Sequence, residues 1–271
     1  MSSKEKISRN EDEIKMTSLE EMSKFEHYAQ NKILQNCYIA VRVDGRSFHR
    51  EVKIIGMKRP FDKKFRKAMC LAAKEVMKDF GAMFAYTQSD ECTFLFPKNF
   101  SIFDRRHEKL ASLIAAKMSV YFNKVNVVRN SGTVPIFDAR VVLLPSRVNV
   151  FKYFEWRQMD SHRNCISSYC FWKLVQEGIS AKEAQKLMHK KGYSWKNELL
   201  FKKYSINYNE IPKWERRGTI LYWKEYRKRG YNPIKKEKVT AIRRKISIDD
   251  MTEQFRYDNL DAWINKGVKV V

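Results

Sequence analysis

Two short acidic stretches carry the sharpest chemistry in this sequence. Asp44-Gly45 ends one apolar run, and Ser89-Asp90-Glu91 precedes another, with Asp90 lying 46 positions after Asp44. Carboxylates brought together repel one another unless a cation neutralises them. Hard oxygen donors beside a phosphate suit Mg2+, and two such ions can stabilise both the attacking and the leaving oxygen of a phosphoryl transfer. Gly45 lets the backbone approach closely, so its carbonyl is a further candidate ligand. The same dipeptides also suit ordinary turns, which favour Asp, Gly and Ser. His162 and Cys165 stand three apart, but no second Cys/His pair stands at zinc spacing, so buried apolar cysteines are expected instead.

Whether the acids meet depends on the elements that carry them. Residues 38–43 (YIAVRV) read as a strand stopped by Asp44-Gly45. Residues 60–80 read as a helix with Pro60 in its first turn, Asp62 favourable to its dipole, and Gly81 ending it. Residues 82–87 and 92–96 read as a hairpin turning through Gln88-Ser89-Asp90-Glu91. A helix over 104–123 and a strand over 135–144 follow. The order β-α-β-β-α-β is the split βαβ arrangement. There the third strand lies between the first two and antiparallel to both, so the end of the first sits beside the start of the third. The expected fold class is α+β, a ferredoxin-like βαββαβ polymerase-palm domain with a mainly helical C-terminal extension. The expected boundaries are a disordered leader (1–20), a palm-like catalytic domain (21–145), a helical extension packed on it (146–226) and a basic C-terminal segment (227–271). Within the extension, 148–176 and 180–190 read as helices, the second opened by a capping box, Ser180-x-x-Glu183.

The 271 residues include 17 Phe and 13 Tyr, enough to build a core, and carry a net charge of +23. So large an excess of positive charge is most simply matched by a polyanionic partner, and nucleic acid is favoured over a membrane surface. No apolar run reaches the ~18 residues of a membrane span, and the N-terminal residues lack the apolar core of a secretory signal. A cytoplasmic protein with no membrane partner is expected. Residues 224–245 hold ten Lys/Arg against two Glu and are expected to contact an RNA backbone.

The residues around the acids resemble a known family. Val41-Arg42-Val43-Asp44-Gly45-Arg46-Ser47-Phe48-His49 is similar to the V-R-(I/V/L)-D-G-R-x-F-H signature of the tRNA-His guanylyltransferase superfamily. Residues 86–94 (YTQSDECTF) resemble its Y-x-Q-S-D-E-x-(S/T)-F signature. Phe137-Asp138-Ala139-Arg140-Val141, Trp156-Arg157-Gln158 with Asp160 and His162, Lys196-Asn197-Glu198, Ile206-Asn207-Tyr208-Asn209 and Arg216-Arg217-Gly218 follow in family order, so the resemblance spans about residues 22–225.

The resemblance implies a magnesium-dependent 3′–5′ polymerase acting on the 5′ end of tRNA. ATP first activates a 5′-monophosphate, and the 3′-hydroxyl of an incoming NTP then displaces AMP. It implies that Asp44, the Gly45 carbonyl and Asp90 hold two Mg2+ ions, with Glu91 beside them as a third catalytic acid. Arg46, Ser47, Phe48 and His49 would cradle a triphosphate, with Arg42, Ser89, Arg59 and Asp62 also serving the nucleotide. Arg105, Arg106 and Lys109 would bind the activating nucleotide's phosphates. His162, Asn164, Lys196, Asn197, Arg216 and Arg217 would serve tRNA. The implied partners are tRNA, ATP, GTP and other NTPs, and the implied assembly is a homotetramer, a dimer of dimers.

Two departures shape the expectation. The family's K-P-N-D reads Arg59-Pro60-Phe61-Asp62, and the H-I-N-N of members that add G to tRNA-His reads His162-Arg163-Asn164-Cys165. The second favours template-dependent repair of truncated tRNA 5′ ends, in which base pairing chooses the nucleotide. Dedicated G addition at the −1 position is the alternative. A nucleotide cyclase would share the paired acids, but the GG(D/E)EF hairpin of diguanylate cyclases is absent. A non-catalytic βαββαβ RNA-binding module is the remaining rival, and residues 91–96 (ECTFLF) lack its basic-glycine start.

Overall fold

The computed structural model describes residue 22, residues 24–129, 131–234 and 236–251, and residues 255, 260, 261, 263 and 264. The expected leader over 1–20 lies outside them. A six-stranded sheet organises the chain, with every neighbouring pair antiparallel and the order β4-β1-β3-β2-β5-β6. These strands are β1 (Tyr38–Gly45), β2 (Phe84–Gln88), β3 (Glu91–Phe96), β4 (Phe137–Leu144), β5 (Thr219–Asn232) and β6 (Glu237–Asp250). Because β1 and β2 both pair antiparallel with β3, they run parallel to each other, as the element order predicts.

Strand alternation divides the core. Ile39, Val41 and Val43 of β1 face one side, with Phe94 and Phe96 of β3. Helices α2 (Lys63–Phe80) and α3 (His107–Asn123) cover that side. Ala40, Phe84 and Leu95 face the other, under Val150 and Phe154 of the 30-residue α4 (Arg147–Gln176), which is about 45 Å long. Sequence alternation suggests one apolar face for β3, but both are buried, because the sheet lies between two helical layers. Beyond the sheet, α5 (Ala181–Met188) opens with the expected capping box, Ser180 and Glu183 bonding each other's backbone amides. Helices α6 (Tyr193–Glu198) and α7 (Lys213–Arg217) complete a helical C-terminal part with its own small core around Cys165, Ile166 and Tyr208.

Several expected elements need correction. A helix, α1 (Phe48–Ile54), occupies the supposed loop after β1, burying Phe48 and Val52 one turn apart. Helix α2 starts at Lys63, not Pro60. Asp62 is extended and its carboxylate accepts the amides of Lys64 and Phe65, which makes it the N-cap. The basic run 227–245, expected as a segment apart from the extension, forms the outer length of a hairpin in which β5 pairs with β2 only over Thr219–Tyr222 and then with β6 alone.

Arg105 is the sharpest correction. It is 1% exposed, and its guanidinium donates to the carbonyls of Ile33, Leu34, Cys37, Lys98 and Phe100. It ties the approach to β1 to the loop after β3 and has no face left for a phosphate. Its neighbours Arg106 and Lys109 lie with it near the start of β1, at the opposite end of that strand from Asp44. Replacing Arg105 with Ala strands these carbonyls and is expected to cost about 3–5 kcal/mol in a denaturant titration. A phosphate-binding role would instead leave stability near wild type and weaken nucleotide binding.

Candidate active site

Backbone register brings the acids together. Asp44 is the cross-strand partner of Glu91, and the Gly45 amide donates to the Asp90 carbonyl at 3.2 Å. Gly45 must be glycine for a packing reason: a Cβ there would sit 2.3 Å from the Phe48 ring. Arg42 and Asp44 share a sheet face with Ala40, and hence with Glu91 and Thr93, the face turned toward α4.

Helix α4 answers that polar edge with Arg157. Its Nε and one terminal nitrogen bond both Glu91 oxygens at 2.8 and 2.7 Å, and the same nitrogen reaches Asp160 at 2.9 Å. Burial opposes the Arg157 charge, yet Glu91 and Asp160 together hold its pKa above the ordinary value. Burial pushes the Glu91 carboxyl up, while Arg157 and Arg42 pull it down. Glu91 is therefore a tether for α4 and not a free third acid. This corrects its expected catalytic role.

Asp44 and Asp90 remain. Among the described residues, no lysine or arginine forms an ion pair within 4 Å of either. Burial raises the Asp90 pKa, and the Asp44 charge raises it further. Hydrogen bonds from its own backbone amide and the Ser89 side chain, and then the Arg59 charge, pull it back down; for Arg59 itself, burial lowers the pKa and Asp90 raises it. Arg59 donates to the His49 carbonyl at 2.6 Å and lies 5.0 Å over the Trp172 ring of α4. It thus bridges the loop before α2 to the long helix.

Two cavities meet at this corner. The larger, about 550 Å³, is polar and reaches from Asp44 and Asp90 past Arg42 and Arg157 to Asn164 and Trp172. The smaller, about 210 Å³, lies on the other side of Arg59 and Asp90, walled by Phe48, Phe61, Phe65 and Trp214. Both are lined by Gln88, Ser89 and Asp90.

The remaining expected residues divide. Arg42 reaches the cleft, 3.9 Å from Glu91, with its Nε buried and unpartnered. Arg46, Ser47, His49 and Ser89 are exposed beside it. Phe48 is a correction: 3% exposed and packed on Phe65, Phe122 and Phe137, it is core and meets the small cavity only as a wall. Asp62 is another, because its carboxylate is occupied by three backbone amides. Arg216 is also structural, 7% exposed and donating to the carbonyls of Ile211 and Asn209. His162 stacks on Tyr193 and meets the Tyr208 hydroxyl, with burial, Arg216 and Arg217 lowering its pKa. It lines a separate cavity with Arg217 on the other flank of α4. Asn164 bonds Asp160, Lys196 bonds the Ser167 hydroxyl, and Asn197 is exposed. Arg157, Asp160 and Trp172 were not among the expected site residues. The Arg157/Asp160 spacing of one helical turn is a legible signal, whereas the pairing with Glu91 comes from tertiary packing.

Comparison with known proteins converges on one family. A profile described as tRNAHis guanylyltransferase matches residues 19–145, and one described as the Thg1 C terminal domain matches residues 148–264. A tRNA(His) guanylyltransferase of Debaryomyces hansenii is 36% identical over 243 residues, covering 84% of this chain and 92% of that protein. A probable tRNA(His) guanylyltransferase of Drosophila melanogaster is 39% identical, covering 70% of this chain and 68% of that one. The crystal structure of the Saccharomyces cerevisiae tRNA(His) guanylyltransferase superposes with a TM-score of 0.67 at 29% identity, over 75% of this chain and 92% of that one. A bacterial guanylyltransferase (Thg1)-like protein in complex with ATP superposes at 0.69 and 25% identity, over 90% and 98%. The chain belongs to the tRNA-His guanylyltransferase family and is a nucleotidyltransferase.

Proposed function

We propose that this protein extends the 5′ end of tRNA in the 3′–5′ direction by nucleotidyl transfer at Asp44 and Asp90, with the opposing base of the tRNA choosing the nucleotide. The observation that carries the reading is the uncompensated pair of acids at the mouth of a 550 Å³ polar cleft with Arg42 and Arg59 in its lining. The β4-β1-β3-β2 part of the sheet is read as a ferredoxin-like polymerase palm. The anticipated limit between palm and extension at 145/146 is kept as part of this proposal, whereas the one at 226/227 falls within β5 and is dropped.

The donor set suits magnesium. Two carboxylates and the Gly45 carbonyl gather at one sheet edge, and burial together with mutual repulsion makes Asp90 resist ionisation without a cation. Two bound Mg2+ ions would supply charge neutralisation for the attacking and leaving oxygens. The chain's own groups bind and orient. Arg42 and Arg59 offer charge to phosphates, Arg46, Ser47 and His49 offer an exposed rim, and Arg157 fixes the edge by holding Glu91. The positive hairpin 224–245, with Lys228 and Arg229 exposed, is the proposed support for the tRNA backbone. A tetrameric, cytoplasmic enzyme completes the reading. Among the described residues no helix is long and apolar enough to cross a membrane.

The relatives' names favour a second reading, G addition to tRNA-His. Against that specialisation, the two altered H-I-N-N positions are Arg163, which pairs with Asp160, and Cys165, which is buried in the small C-terminal core.

Two outcomes test the proposal. A raised Asp90 pKa penalises the folded state progressively as pH rises from the ordinary 3.8 through the folded value. Asp90→Asn is therefore expected to stabilise the metal-free protein at neutral pH by about 0.5–2 kcal/mol while abolishing nucleotide incorporation. A destabilised variant that still incorporates would refute the metal role. Incubation with ATP, Mg2+, all NTPs and truncated tRNAs presenting C, A, G or U opposite the gap should give extension that follows the opposing base. G alone, added regardless of the template and only to tRNA-His, would assign the second reading.

A further inference from the structure

We infer that Tyr153 and Thr93 are positioning residues for Arg42: with its buried Nε they hold one water, which aims the guanidinium into the polar cleft. The inference rests on the proposed transfer at the adjoining acids, in which Arg42 offers charge to phosphates.

Among the described residues, four buried side-chain nitrogens or oxygens have no hydrogen-bond partner. Three of them, the Arg42 Nε, the Thr93 hydroxyl and the Tyr153 hydroxyl, belong to one place. Arg42 on β1 and Thr93 on β3 are cross-strand partners, so their side chains leave the sheet side by side. That face is turned toward α4, where Tyr153 packs on the layer that holds Ala40 and Leu95. Tyr153 stands four residues before Arg157 and therefore on the same side of the helix. Burial raises the Tyr153 pKa; the Arg42 charge lowers it, Glu91 raises it, and Arg157 and the Thr93 hydroxyl lower it. Its hydroxyl lies within the influence of every member of the cluster and bonds directly to none.

What Arg42 lacks is an anchor. Glu91, 3.9 Å from the Arg42 Nε, is held at both oxygens by Arg157 at 2.8 and 2.7 Å. The Arg42 partner on β4 is Arg140, a second cation. An untethered arginine has many rotamers, and ordering it on a phosphate costs side-chain entropy. Buried polar atoms left unpaired are costly, and a polar pocket with two to four partners is where proteins hold ordered water. The Arg42 Nε can only donate, whereas both hydroxyls can accept. A water that accepts from Nε and donates to the two hydroxyl oxygens satisfies all three atoms. It fixes the inner edge of the guanidinium and leaves the terminal nitrogens to the cleft that Arg42 lines.

The test measures binding of inorganic tripolyphosphate and of ATP to the full chain with Mg2+, together with the melting midpoint of each variant. Trp156 and Trp172 line the cleft and supply a fluorescence signal. Arg42→Ala is expected to weaken both ligands by about tenfold or more. Tyr153→Phe and Thr93→Val, which remove one hydroxyl each, should weaken them by about 3–10-fold, with midpoints at or below wild type. Thr93→Ser, which keeps the hydroxyl, should retain wild-type affinity. In the Arg42→Ala background, Tyr153→Phe should cost nothing further, because the hydroxyl acts only through the guanidinium. Equal losses with and without Arg42 overturn the inference and leave the transfer reading intact. So does a Tyr153→Phe variant with a raised midpoint and unchanged affinity, the mark of a hydroxyl that is merely buried. An Arg42→Ala variant that binds both ligands like wild type removes Arg42 from the phosphate site and the inference with it. The transfer reading then still stands or falls on Asp90→Asn.

Discussion

Backbone pairing between β1 and β3 forces like charges into one corner, and the architecture around the site answers that constraint. The register sets Asp44 opposite Glu91, and the turn between β2 and β3 adds Asp90. No side chain chose this arrangement, since the ladder hydrogen bonds of a central strand pair hold it. Three acids at one sheet edge would destabilise a protein of neutral surroundings. Here one of them, Glu91, is neutralised by a bidentate arginine, the strongest geometry available to such a pair. The other two are left without a cation, one with its pKa driven upward. Compensating one acid so thoroughly while its neighbours lack an ion-pair partner is the asymmetry on which the proposed metal role rests.

The same ion pair makes the helical C-terminal part more than an appendage. Arg157 projects from the middle of α4 and grips β3, so the long helix cannot slide without exposing a buried charge. Its next turns carry Asp160, Asn164 and Trp172, which form the far wall of the polar cleft. Tyr86 reinforces the junction by donating to the Arg217 carbonyl, against a Gly218 whose φ of +77° and missing Cβ admit the ring. Sheet and extension therefore share one surface, and neither builds the cleft alone.

What the sequence reveals follows the range of the interactions. The approach of Asp44 to Asp90 was legible, because element order dictates which strands adjoin and both acids stand at strand ends. The capping box at Ser180 was legible because it is complete within four residues. Helix α1 was not: its seven residues include only two buried ones and carry no capping signal, since Ser47 forms no side-chain cap. Arg105 was misread because a surface triplet and a buried guanidinium look alike until the five carbonyls around it are assembled from distant segments. Residues 219–226 alternate like a strand and were legible as one, but the rest of β5 and its partner β6 were not, because the cross-strand partners include Lys224 opposite Lys245 and Tyr226 opposite Arg243. Charge of one sign conceals the alternation that marks a strand.

The two departures at Arg59 and Phe61 belong to a single physical change. A lysine at 59 would offer a point charge, whereas the planar guanidinium spreads over the Trp172 ring while one nitrogen still reaches the His49 carbonyl. An asparagine at 61 would leave a polar amide facing Tyr169 and Trp214, whereas phenylalanine packs against both. Together they fasten the segment before α2 to the long helix by aromatic contact. The fastened segment stands where the two cavities adjoin, since Arg59 and Phe61 line both. Position 59 carries a charge that acts on Asp90, and position 61 removes an amide from the cavity wall. The altered motif thus strengthens the frame of the cleft while making one wall of its smaller chamber chemically indifferent.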